Sequence, residues 1–119
     1  MEFLELLKTG RPVLLDGGMG TMLQAKGLPV GAVPELTALE HPEWLLDIHG
    51  AYVEAGAQIL YANTFGANRE KLAHCGKTVE EIVPAAVALA KEAAAGRALV
   101  ALDIGPTGQL LEPTGILDF

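Results

Sequence analysis

Three short apolar runs, Val13–Leu15, Ala57–Ala62 and Ala98–Leu102, constrain this chain more than any other feature, because they begin near residues 13, 58 and 98 with room for a helix between each pair. Each is bounded by Gly, Pro or polar turn residues, the pattern of a short buried strand. Val13-Leu14-Leu15 has no polar interruption and reads as buried on both faces.

Helical signals fill the gaps. Residues 2–9 (EFLELLKT) carry Phe3, Leu4, Leu6 and Leu7 at helical spacing before Gly10, and Thr21–Lys26 forms a brief helix ended by Gly27. Residues 27–40 hold two Gly and two Pro without a period and read as a loop. In HPEWLLDIHGAYVEAG, Pro42 and Glu43 suit a first turn, and Trp44, Ile48, Ala51, Tyr52 and Ala55 share a face, with Gly56 as the stop. Thr78 and Glu81 make a capping box ahead of an Ala-rich helix ending at Gly96; Pro84 within it predicts a kink or a start nearby. The segments NTFGAN and QLLEPTGILDF read as loop.

Strand, helix, strand, helix, strand is the order of a parallel α/β sheet. A closed (β/α)₈ barrel takes about 250 residues, so 119 residues supply about three of its eight units. The expected fold is the first three strands of a truncated TIM-type barrel, or else a small open sheet, with residues 1–119 as one partial domain and no second one.

Charge and composition narrow the partner. The formal net charge is −7 and Lys and Arg form no run, which leaves no footprint for nucleic acid or an anionic membrane and favours a small soluble ligand. No apolar stretch approaches the roughly 20 residues of a membrane span, and the acidic start MEFLE lacks the basic opening of a secretory signal, so a cytoplasmic location is expected. The one cysteine, Cys75, fits a reducing compartment.

All three runs end in polar or glycine residues: Asp16-Gly17-Gly18, Asn63-Thr64-Phe65-Gly66 and Asp103-Ile104-Gly105-Pro106. In parallel α/β folds these ends share the rim that carries the active site. A Gly-Gly-Met-Gly turn lets backbone N–H groups approach an anion without Cβ obstruction, and the acid just before it prefers a cation. Together they suit a zwitterion, an amino acid with its ammonium on Asp16 and its carboxylate on the amides. The plainer alternative, Asp16 as a cap and the glycines as a tight turn, stays open at this point. GGMG lacks the Gly-Lys-Ser/Thr of a phosphate loop and the full dinucleotide pattern.

The strings LLDGGMGTMLQAKGL, ANTFGANREKL and DIGPTGQLLEPTG, in order and at comparable spacing, resemble the N-terminal part of the homocysteine S-methyltransferase domain, nearest to its cobalamin-dependent methionine synthase branch. The resemblance spans nearly the whole chain. It implies a TIM-type barrel binding homocysteine and zinc at its strand ends, with methyl transfer to the zinc-activated thiol giving methionine and methylcobalamin on another domain or subunit as methyl donor. Carried over by position, it makes Asp16 the acid that meets the substrate ammonium, Gly17, Gly18 and Met19 the amides for its carboxylate, Asn63 and Thr64 pocket-facing residues, and Asp103 the acid of the third rim segment. Tyr61-Ala62 stands where relatives often carry a polar pair.

The family's zinc ligands are three cysteines from later segments, and none matches here, so the fragment by itself is expected to lack both a metal site and activity. Cys75 lies outside the three motifs, next to His74, and reads as incidental. His41 and His49 read as surface or packing residues, Trp44 and Tyr52 as packing of helix on sheet. Two alternatives differ in class. A phosphate-handling barrel enzyme needs a basic clamp or a Schiff-base lysine at a strand end, and no lysine sits there. A non-catalytic module would instead oligomerise through its open sheet edges.

Overall fold

The computed structural model describes residues 2–118. Its order is α1 (Phe3–Lys8), α2 (Gly20–Lys26), a 3-10 turn (Pro34–Leu36), α3 (Thr37–Glu40), α4 (Pro42–Glu54), β1 (Ile59–Tyr61), α5 (Arg69–Leu72), α6 (Val79–Ala94) and β2 (Leu99–Ala101). β1 and β2 pair in parallel, Ile59 with Leu99, Leu60 with Val100 and Tyr61 with Ala101, and α6 is the crossover between them. The fold is mixed α/β with parallel strands.

The expected first strand at Val13–Leu15 is a correction. It joins β1 through a single parallel bridge, Leu15 to Ile59. The Leu14 carbonyl accepts from Gln58 N–H (2.8 Å) and Asp16 N–H donates to the Ile59 carbonyl (3.0 Å). The next rung is taken by a side chain: Tyr61 N–H donates to Asp16 Oδ2 at 3.0 Å, where a regular ladder would use a main-chain carbonyl. A carboxylate competing for a ladder N–H ends the pairing. With one paired edge and one uncovered face, Leu14 and Leu15 are 55% and 49% exposed, not buried on both sides. The ordered parallel sheet thus holds two strands and a bridged segment, not three full strands.

Helix ends follow local chemistry. Gly27 closes α2 in the left-handed region (φ 117°), which costs glycine nothing. Thr78 accepts from Glu81 N–H while the Glu81 side chain accepts from Thr78 N–H, completing the predicted box, and α6 starts at Val79 and runs through Pro84. One segment read as loop contains structure, and one short helix has no counterpart in the sequence reading. Residues 27–40 hold the 3-10 turn and α3, and the stretch after NTFGAN begins α5, where Asn68 caps by accepting from Lys71 N–H (2.9 Å).

The core lies where α4 and α6 cross and where both meet the sheet. Leu23, Ala38, Leu45, Ile48 and Ala86 form one cluster, and Val53, Ala57, Leu60 and Ala94 a second beneath the strands. The buried stripe of α4 is Leu45, Ile48, His49 and Val53; Ala51 and Ala55, expected on the inner face, are exposed. The stripe turns this way because α4 packs against α6 and β1 together, and residues spaced three and four apart cover that seam. On the other side, an apolar cavity of about 920 Å³ runs past Val13, Leu15, Ile59, Tyr61, Leu99 and Ala101. Among the described residues β2 has a strand on one edge only, and no helix is long and apolar enough to cross a membrane.

Candidate functional site

The strand ends converge. Asp16, Gly17, Met19, Asn63, Thr64 and Asp103 line one cavity of about 240 Å³ with Tyr61, Ala62 and Phe65. That volume is below the roughly 300–1,000 Å³ of drug-sized sites and on the scale of one amino acid. Gly18 lies behind it, its carbonyl accepting from the Tyr52 hydroxyl at 2.7 Å.

Asp16 is held at the mouth by Tyr61 N–H on Oδ2. Partial burial pushes its carboxyl above the usual carboxylate range, and the negative charge of Asp103 adds to the rise; the N–H groups of Tyr61 and of Asp16 itself pull the other way. A carboxylate short of solvation and beside a second acid is a site that gains from a cation. Around the corner, the N–H groups of Gly17, Gly18 and Met19 donate to no protein acceptor among the described residues. Met19 is the residue just before α2, so its carbonyl begins that helix, accepting from Leu23 N–H (2.9 Å), while its N–H stays free.

The second and third rim segments are tied to each other and to the 3-10 turn. Asn63 donates through Nδ2 to the Pro34 carbonyl (2.9 Å). Thr64, 3% exposed, both donates to the Asp103 carbonyl (2.8 Å) and accepts from Asp103 N–H (3.0 Å). These side chains brace the rim with the same atoms a ligand would use. Glu35, buried at 6% exposure, accepts from Gly66 N–H at 2.7 Å, and a Cβ at Gly66 would stand 2.6 Å from that oxygen. Glu35 was invisible to sequence reasoning, since it sits in a segment read as loop. Tyr61 and Tyr52 were seen only as strand and packing residues; their polar contacts depend on which loop crosses them.

The described residues do not fit a zinc centre. Among the described residues no three His, Cys, Asp or Glu side chains gather as ligands. Cys75 sits after α5 with its thiol directed to the Leu72 carbonyl. His49 is fully buried in α4, with both ring nitrogens lacking a partner among the described residues, and burial lowers its pKa.

Residues 13–118 match the family model described as homocysteine S-methyltransferase. Betaine–homocysteine S-methyltransferase 1 of Danio rerio is 35% identical over 114 residues, covering 91% of this chain and 28% of that protein; the Xenopus tropicalis protein of the same name is 34% identical over 116 residues, covering 91% and 29%. The crystal structure of the Escherichia coli homocysteine methyltransferase MmuM in its metallated form superposes with a TM-score of 0.77 at 28% identity, over 88% of this chain and 42% of that one. The chain spans under a third of the length of these curated relatives. It belongs to the homocysteine S-methyltransferase family.

Proposed function

We propose that this chain forms the substrate-gripping part of a homocysteine S-methyltransferase, as the first three units of a TIM-type barrel over residues 1–119. Asp16 receives the α-ammonium of homocysteine and the N–H groups of Gly17, Gly18 and Met19 receive its carboxylate. Asn63, Thr64 and Asp103 shape the rim against which the side chain lies. The observation that carries this reading is the meeting, at one 240 Å³ cavity, of a partly buried carboxylate at Asp16 with Gly17 and Met19, whose N–H groups have no acceptor among the described residues. The unpaired edge of β2 and the 920 Å³ apolar cavity beside it support a sheet that continues into further strands.

In the intact enzyme the proposed reaction forms a bond between the homocysteine sulfur and the donor's methyl carbon, breaks the methyl–donor bond with its electron pair staying on the donor, and releases the thiol proton, giving methionine. A zinc ion held by other residues of the intact enzyme would supply a lowered thiol pKa; the residues of this chain contribute orientation and charge matching, and alone they are not expected to catalyse transfer. The proposed methyl donor is methylcobalamin on a corrinoid-binding domain or protein, and the proposed setting is the cytoplasm. A second reading, a betaine-type donor, is favoured by the names of the Danio rerio and Xenopus tropicalis relatives.

The test is an amide-resolved NMR titration of the chain with L-homocysteine, its decarboxylated amine and its deaminated acid. Homocysteine is expected to shift the Gly17, Gly18 and Met19 resonances, and each truncated ligand to bind more weakly. Shifts confined to other surfaces, or equal affinity for all three ligands, would defeat the proposal.

A further inference from the structure

Tyr52 belongs to α4, away from the rim, yet its hydroxyl donates to the Gly18 carbonyl at 2.7 Å. Its ring packs, partly buried, against both core clusters, which fixes where the hydroxyl is held. The ring also backs directly onto Gly17: a Cβ there would lie 3.0 Å from the hydroxyl and 3.2 Å from the ring edge.

The Gly18–Met19 peptide is trans, the only cis bond among the described residues being Glu112–Pro113. In a trans peptide the carbonyl and the following N–H point in opposite directions from one rigid plane. Anchoring the Gly18 carbonyl to Tyr52 therefore turns Met19 N–H away from the Tyr52 hydroxyl, and Met19 is one of the residues that line the cavity. Gly18 has no side chain to restrict this plane, so without the anchor the turn samples orientations in which the amide is misdirected. We propose that Tyr52 is a positioning residue that orients the Met19 amide for a ligand carboxylate. This rests on the function proposed above and extends it: part of the site's selectivity for a free amino acid resides in a phenol on a helix that never touches the ligand.

Tyr52→Phe removes one oxygen and keeps the ring, so the packing of α4 is preserved. In the ligand-free chain, ¹⁵N relaxation is expected to show Met19 N–H losing order while the amides of α4 keep theirs. In titrations, affinity for L-homocysteine should fall roughly two- to tenfold, the worth of one neutral hydrogen bond, with affinity for the decarboxylated amine unchanged. Gly17→Ala, whose methyl meets the same hydroxyl, should reproduce the loss of order by a second route. Unchanged order at Met19 in both variants, or equal weakening of both ligands, overturns the role of Tyr52. Asp16→Asn, run alongside, separates the two proposals: if it leaves homocysteine binding intact, the proposed function falls, while the relaxation result still decides whether Tyr52 orders the turn.

Discussion

Replacing Asp16 by Asn keeps the shape of the side chain and an oxygen for Tyr61 N–H, and removes only the charge. Two effects of opposite sign follow. A hydrogen bond to a charged partner contributes about 1.5–3 kcal/mol, so homocysteine should bind the variant roughly 10- to 150-fold more weakly, at about 1.4 kcal/mol per tenfold. The fold should gain. Because burial and Asp103 raise the folded-state pKa of Asp16 above its ordinary 3.8, holding it ionised at pH 7 costs the native state stability. That cost shrinks as pH falls through the raised folded value and is gone below the unfolded one. Thermal melts should therefore show the variant more stable than the parent at pH 7, with the gap narrowing towards pH 4. Affinity of the parent for homocysteine should fall over the same acidic window, as Asp16 takes up a proton. An Asn variant that binds as tightly as the parent, or melts lower at pH 7, would refute the argument that this carboxylate is strained for the sake of a cation.

His49, fully buried with neither nitrogen partnered among the described residues, should be replaceable by Leu with a gain of about 1–3 kcal/mol in urea denaturation. Its folded pKa is lowered, so the unfolded chain takes up the proton first; the parent should lose up to about 1.4 kcal/mol per pH unit below pH 6.5, until the folded value is reached, a slope missing from the variant. Asn63→Ala strips the Pro34 carbonyl of its 2.9 Å donor and should cost about 1–3 kcal/mol; weaker homocysteine binding with no change in urea midpoint would instead mark Asn63 as a ligand contact. Gly105→Ala drives a methyl into the Phe65 carbonyl and ring and should lower stability by about 1–3 kcal/mol, read from the same urea curves.

Much of the candidate rim was legible because its chemistry is local. An acid followed by Gly-Gly-Met-Gly at the end of an apolar run carries both its charge and its free amides wherever the run is placed, and the capping box at Thr78 and Glu81 completes itself within one turn of helix. The apolar runs and the helix between the second and third likewise determine a parallel α/β arrangement, since a parallel pair requires a crossover. Tertiary structure decided what depends on distant partners. Val13–Leu15 looked like a full strand, but Asp16 reaches 45 residues along the chain to take the Tyr61 N–H and ends the ladder after one bridge. The inner face of α4 was set by what packed on it, which put His49 inside and Ala51 outside. Glu35 beneath Gly66, Thr64 clamped to Asp103 and Tyr52 behind Gly18 are contacts between segments 31 to 39 residues apart. Local pattern determines which atoms a segment can offer; only the approach of the other segments decides whether protein or ligand uses them.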